Sequence, residues 1–296
     1  MHHHHHHHDH TDSGKNIRLA FFLNLTFAIV ELIGGFFTNS IAILSDALHD
    51  FGDSLSLGVT WYLQRLSRKK RDADFTYGYK RFSLLGAVLI SAVLIGGSCF
   101  VVFEGVQRIL APQPVDTTGM LLLAVAGIAV NGLAVFRLKK GVSFNERAVY
   151  LHLMEDVLGW IAVLIGSVVM KFADWPVLDP ILSLTISGWV LYNAAGNLRS
   201  TFRILLQGTP KGMDVEGLKA EISALEPVAS LHDFHLWSLD GDFHVLSLHA
   251  VVDPGHPHSD PSILKSRIRS ICDDFHIHHA TIEVEDKKED CGLVHC

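Results

Sequence analysis

Cysteine is scarce in this 296-residue chain: Cys99, Cys272, Cys291 and Cys296 make the whole set. Four thiols spread over such a length do not form a disulfide framework, so bridges are not what holds this fold together. Charge is thin as well, with 19% of residues charged and a formal net charge of −7. No long basic patch stands outside short linkers, so the electrostatic footprint of a nucleic-acid binder is missing. A glycine-rich phosphate loop is absent, which sets aside an ATP-driven machine. A His-Glu-x-x-His helix is absent too, which sets aside an intramembrane metalloprotease. The opening MHHHHHHHDH lacks the basic start, short apolar core and cleavage site of a signal peptide. That histidine run is either a purification tag or a native start.

What is abundant is apolar sequence and histidine. Hydrophobic residues make up 49% of the chain and histidines number 20. The apolar residues gather between about 17 and 199, in six stretches near 17–37, 41–62, 83–106, 117–136, 148–170 and 178–198. Each approaches the ~20 residues that a membrane-crossing helix needs. The turns between them are Thr38-Asn39-Ser40, Pro112-Gln113-Pro114 and Trp175-Pro176. Arg65, Arg68, Lys69, Lys70, Arg71, Lys80 and Arg81 follow the second stretch, and Arg137, Lys139, Lys140 and Arg147 follow the fourth. The opposite loops carry few cations, so both termini are expected in the cytoplasm with six crossings between them.

Three segments follow: a His-rich start at 1–16, a six-helix transmembrane domain at 17–205, and a soluble cytoplasmic tail at 206–296. In the tail, 212–226 and 261–275 have helical spacing, while 231–239, 243–252 and 278–285 read as strands. The order αββαβ predicts a small sheet with helices on one face.

Two histidines fall within the predicted spans, His49 in the second and His152 in the fifth. Each is followed four residues later by an aspartate, Asp53 and Asp156. Positions i and i+4 share one helix face about 6 Å apart. Each pair therefore aims an imidazole and a carboxylate at one place, and two pairs on facing helices supply two nitrogens and two oxygens, a tetrahedral set suited to Zn²⁺. Polar groups in membrane helices also hydrogen-bond to neighbours, the plainer role for either pair alone. The duplication favours metal, because ionisable groups inside a bilayer cost at least ~2.5 kcal/mol each on insertion scales. Asp46 is placed to orient His49. Asp50 stands about 100° away from His49 on an ideal helix and is not counted as a ligand. Asn24, Glu31, Glu104 and Asn131 are read as interhelical hydrogen-bonding groups.

The runs NSIAILSDALHDFGDSLSLG, FTYGYKRFSLLGA, AVYLHLMEDVLG, LLQGTP and LHDFHLWSL resemble signatures of the cation diffusion facilitator family, over nearly the whole chain after about residue 15. The resemblance implies a homodimer, six helices per protomer and a ferredoxin-like cytoplasmic domain. It implies a secondary transporter rather than an enzyme. Such a protein moves Zn²⁺, and in the broader reading Cd²⁺ or Co²⁺, out of the cytoplasm by alternating access against inward protons. His49, Asp53, His152 and Asp156 match its transport site. His232 and His249 match ligand positions of cytoplasmic-domain sites in some members, where Zn²⁺ is a regulatory ligand. Glu285 stands on the strand that carries a histidine in some of those members. No metal site is expected in the linker RKKRDADFTYGY, where Asp72 and Asp74 read as solvated. His235, His244 and His276 read as surface or packing residues, His256 and His258 as a loose loop pair, and Cys291, His295 and Cys296 as a capture arm. The short loop RLKKGVSFNER, without histidine, favours a bacterial inner-membrane protein.

Overall fold

The computed structural model describes residues 10–138, 144–253, 260–287 and 291. Six long helices come first: α1 (His10–Thr38), α2 (Ile41–Ser67), α3 (Phe82–Leu110), α4 (Thr117–Leu138), α5 (Phe144–Ala173) and α6 (Leu178–Leu205). By length and composition, three segments of described residues could cross a bilayer: Phe82–Leu110, Thr117–Phe136 and Leu153–Ala173. The polar stripe of α2 and the serines and asparagines of α6 lower the hydropathy of those two helices. The chain divides into two compact units. One draws on the chain up to Tyr62 and on Gly86–Leu198, the other on Leu63–Leu85 and on the chain from Arg199 onward.

The first unit has a water-soluble protein's polarity reversed. Phe36, Phe37, Phe100, Leu133, Phe136 and Phe172 point outward and are 68–86% exposed. Glu31, Asp46, Asp50, Ser91, Asn131, Asp156, Ser183 and Ser187 are buried. Where lipid is the solvent, apolar side chains face out and ionisable groups turn toward the bundle interior. Phe27, Ile43, Met120, Ala124, Trp160, Val163 and Met170 form the apolar core. Trp160 lies edge-on to Phe27, with ring centroids 5.7 Å apart.

The α1–α2 turn fixes where α2 begins. Asn39 adopts φ 56°, a left-handed conformation that asparagine tolerates better than most residues. Its side chain donates to the Pro114 carbonyl at 2.9 Å, and its own carbonyl accepts from Arg108 at 2.6 Å. Ser40 Oγ accepts from Ile43 N–H at 3.2 Å, an N-cap contact. Asp179, fully buried at the start of α6, adds a carboxylate to the same helix end. It accepts from Ser40 Oγ at 2.5 Å, Ile41 N–H at 2.8 Å and Ala42 N–H at 3.3 Å. A carboxylate here also complements the α2 dipole. Asp179→Ala strands buried amides, at a cost of about 1–3 kcal/mol. The expected result is a lower thermal midpoint for detergent-solubilised protein; an unchanged midpoint would show that the cap is dispensable.

In the second unit, α7 (Val215–Ser223), β1 (Val228–Ser238), β2 (His244–Val252), α8 (Pro261–Asp274) and β3 (Ile277–Asp286) follow in the expected αββαβ order. Asp214 caps α7 through Gly217 N–H. Asp260 caps α8 through Ser262 N–H, with Pro261 in the first turn, where its missing N–H costs nothing. The sheet order is β1-β2-β3, antiparallel between β1 and β2 and parallel between β2 and β3. Leu246, Leu248, Ala250 and Val252 of β2 pack with Leu218 and Ile222 of α7 and with Leu264 and Ile268 of α8. Strand alternation therefore turns His249 to the opposite face.

Asp72 in the linker is more than a solvated charge. Its Oδ2 accepts from Tyr79 Oη at 2.7 Å and Lys69 Nζ at 3.1 Å, and its Oδ1 from Phe75 N–H at 3.0 Å and Asp74 N–H at 3.2 Å. These donors, the Tyr79 hydroxyl foremost, hold the Asp72 carboxyl down at about 2. Lys80 reaches Asp240 at 3.8 Å and lies over the Phe243 ring, while Tyr77 meets His279 edge-on. Because the folded carboxyl titrates lower than an unfolded one near ~3.9, the loop's stabilisation is complete above ~3.9 and fades as pH falls toward ~2. Trypsin cleavage at Arg68–Arg71 should therefore stay constant across the neutral range and rise in Asp72→Asn. Equal cleavage of the two proteins would remove Asp72 as the loop's organiser.

Candidate metal centres

The first centre lies between α2 and α5. One ligand atom each from His49, Asp50 and Asp156 fall within 4.8 Å of one another. Asp156 and Asp50 are buried, at 5% and 1% exposed. Asp53 stands beside His49, Oδ2 to Nε2 3.7 Å, but is not one of the three convergent groups. His152 is on α5 one turn before Asp156; its side chain lies outside the described residues. The structure thus brings His49 and Asp156 together from facing helices, with Asp50 as the third member where i/i+4 pairing alone put Asp53. A signal for Asp50 was present. Asp46, His49, Asp50 and Asp53 occupy positions i, i+3, i+4 and i+7, the spacing of one broad helix face.

The surrounding polar groups differ in what they do. Asp46 is buried with its Oδ1 turned toward Gly159 of α5. Both oxygens of Asp50 and Asp46 Oδ2 have no hydrogen-bond partner among the described residues. Buried polar atoms are nearly always paired, so a cluster of such oxygens inside a helical bundle fits a place that receives cations or protons. Asn24 does bridge helices, donating to the Asp50 carbonyl at 3.5 Å and Ser54 Oγ at 3.4 Å. Glu104 instead pairs with Arg108 on its own helix at 3.2 Å, and Asn131 Nδ2 has no partner among the described residues.

The second centre lies on the sheet face away from α7 and α8. His232 and His249 are cross-strand partners of β1 and β2, with ring centroids 5.1 Å apart. The Glu285 carboxylate of β3 spans them, Oε1 to His249 Nδ1 2.5 Å and Oε2 to His232 Nε2 3.3 Å. Together with Cys291 they form a set whose ligand atoms lie within 4.8 Å of one another. Asp233, which the sequence reading did not single out, adds an outer contact: its Oδ2 is 3.4 Å from His249 Nε2. It adopts φ 47° where the β1–β2 register breaks between His232 and His235. A bulge of this kind re-aims side chains, and nothing in the sequence marks it. His235 pairs with Asp233 at 2.8 Å, and His244 packs near His278. Burial of His244 lowers its imidazole's proton affinity. His256, His258, His295 and Cys296 lie outside the described residues.

Two sequence models of known families fit the chain. The cation efflux transmembrane domain matches residues 17–206, and the cytoplasmic domain of cation efflux proteins matches 210–287. The chain belongs to the cation diffusion facilitator family. This cation diffusion facilitator is 35% identical over 278 residues to a cadmium, cobalt and zinc/H⁺-K⁺ antiporter of Bacillus subtilis, covering 92% of this chain and 89% of the relative. It is 35% identical over 293 residues to the zinc transporter ZitB of Pectobacterium atrosepticum, covering 97% and 90%. Against the metal cation efflux system protein CzcD of Cupriavidus metallidurans the identity is 31% over 273 residues, covering 92% and 86%. The protein is a membrane-embedded metal transporter and not an enzyme, and its cytoplasmic domain carries the sheet with the second centre.

Proposed function

We propose that the protein exports Zn²⁺, with Cd²⁺ and Co²⁺ as further cargo, from the cytoplasm in exchange for protons. The reading that fits best has a homodimer in the bacterial inner membrane, six crossings per protomer, both termini cytoplasmic and a ferredoxin-like tail. The observation that carries it is the convergence of His49, Asp50 and Asp156 from two facing helices in a unit whose outer surface is apolar. His49, Asp53, His152 and Asp156 form the ligand set. Asp50 takes part either by direct coordination or by holding His49 in place, as the outer partners of ligating imidazoles do.

The chemistry follows from ligand protonation. A metal site loads when its ligands are deprotonated, so metal release and protonation are two sides of one exchange. Imidazoles make that exchange near neutral pH. His49 and His152 therefore carry the protons, and Asp53 and Asp156 balance the ion's charge. Alternating access presents the same residues first to the cytoplasm and then outside. The names of the relatives support both parts, since one is a zinc/H⁺-K⁺ antiporter and another a zinc transporter. In the cytoplasmic domain, His232, His249 and Glu285 are read as ligands of a regulatory Zn²⁺.

Expression in a zinc-sensitive bacterial strain lacking its own exporters tests the transport reading. Wild type should restore growth in high zinc, and Asp50→Asn should restore it only partly. His49→Ala should fail while reaching the membrane in equal amount; rescue by His49→Ala would remove that residue from the site.

A further inference from the structure

A thiol, that of Cys291, stands at the second centre. Cys291 is half-buried, and its Sγ stands 3.6 Å from His249 Nδ1. This is the same imidazole nitrogen that meets Glu285 Oε1. The other nitrogen, Nε2, faces Asp233 Oδ2 and Glu283 Oε2, each at 3.4 Å. Carboxylates on one side of an imidazole fix its tautomer and leave the opposite lone pair for a metal. His232 Nε2, 3.3 Å from Glu285 Oε2, is buried with no hydrogen-bond partner among the described residues. With bonds of about 2.0–2.3 Å to Zn²⁺, tetrahedral ligand atoms stand roughly 3.3–3.7 Å apart. The 3.3 Å and 3.6 Å separations here lie in that range.

We propose that Cys291 is the fourth ligand of this centre. His232 Nε2, His249 Nδ1, one Glu285 oxygen and the Cys291 thiolate form a closed N₂OS site for a soft divalent cation, and metal binding ties Cys291 to the sheet. The proposal rests on the reading of His232, His249 and Glu285 as ligands. The charge balance supports it: a thiolate and a carboxylate with two neutral imidazoles cancel a divalent ion. A thiolate also changes what the site prefers. Sulfur ligands favour Zn²⁺ and Cd²⁺ over harder ions, whereas the intramembrane centre has nitrogen and oxygen donors. The two centres thus rank metals differently, and the cytoplasmic one responds most strongly to Cd²⁺ and Zn²⁺.

The thiolate provides a readout that other bound metal cannot imitate. Cd²⁺ titrated into the full-length protein in detergent gives a sulfur-to-cadmium charge-transfer absorbance when a thiolate coordinates, and His-, Asp- or Glu-bound Cd²⁺ gives none. Wild type and Cys296→Ser are expected to develop this band, saturating at one equivalent per chain. Cys291→Ser should lack it and bind Cd²⁺ at this centre at least about 10-fold more weakly, in line with the loss that even an outer partner of a ligand brings. Persistence of the band in Cys291→Ser, or its loss in Cys296→Ser, overturns the proposal. The His232→Ala/His249→Ala double variant separates the two readings. If it loses one equivalent of Cd²⁺ while Cys291→Ser changes neither band nor affinity, the histidine–glutamate site stands and Cys291 is not its ligand. If it keeps the wild-type stoichiometry, the underlying site fails and the proposal with it.

Discussion

Asp156→Asn should lower Zn²⁺ transport and Zn²⁺ affinity at the intramembrane centre by roughly 100-fold or more. Removing even an outer partner of a metal ligand costs about 10–100-fold, and Asp156 is one of the three buried or half-buried groups that converge between α2 and α5. The amide keeps the side chain's shape, so the helix packing around this buried position survives. What is lost is the negative charge that offsets a divalent cation where water is excluded. Competition titration against a chromogenic zinc chelator measures the affinity, and elution of the solubilised protein as the same species checks the fold. Wild-type affinity in this variant would place the transported ion elsewhere.

A second large effect is expected at Gly127, through packing rather than chemistry. A Cβ built there would stand 2.3 Å from Trp160 Cδ2 and 2.5 Å from Cε2. No carbon contact is that short, so Gly127 is what lets α4 accept the indole of α5. Trp160 is fully buried in the core with Phe27 and Ile43, and α5 carries Asp156 one turn before it. Small residues at such crossings let membrane helices approach closely. Overpacking a well-filled core costs about 1–3 kcal/mol and more when backbone has to move. Gly127→Leu should therefore lower the thermal midpoint sharply or prevent accumulation of folded protein, whereas Gly127→Ala should show a milder drop. A midpoint equal to wild type for the leucine variant would contradict this packing.

Much of the architecture could be read before any coordinates. Hydropathy located the six long helices within a few residues at the starts of α2, α3, α4 and α6. The helix and strand periods of the tail gave its element order. Repeated His-x-x-x-Asp spacing drew attention to α2 and α5, and those helices do hold the convergent trio. Asp50 was set aside because it stands about 100° from His49 on an ideal helix; a broad face built from i, i+3, i+4 and i+7 includes it. Asp72 escaped because a single acidic residue in a charged linker looks solvated until the Tyr79 hydroxyl and two backbone amides are seen to converge on it. Asp233 had no sequence signal, and Cys291 was legible only as part of a capture arm, not as a neighbour of His249. One depends on a strand irregularity, the other on a contact between positions more than forty residues apart in sequence.

Zn²⁺ uptake into proteoliposomes under an imposed pH gradient tests the central claim most directly. The protons are placed inside and Zn²⁺ outside, and wild type is compared with Asp156→Asn and Asp53→Ala. Wild type should accumulate Zn²⁺ above its external concentration and stop doing so when an ionophore collapses the gradient, while both variants stay at the level of empty liposomes. Uptake that is indifferent to the gradient would contradict proton exchange, and gradient-driven uptake by the variants would contradict the site.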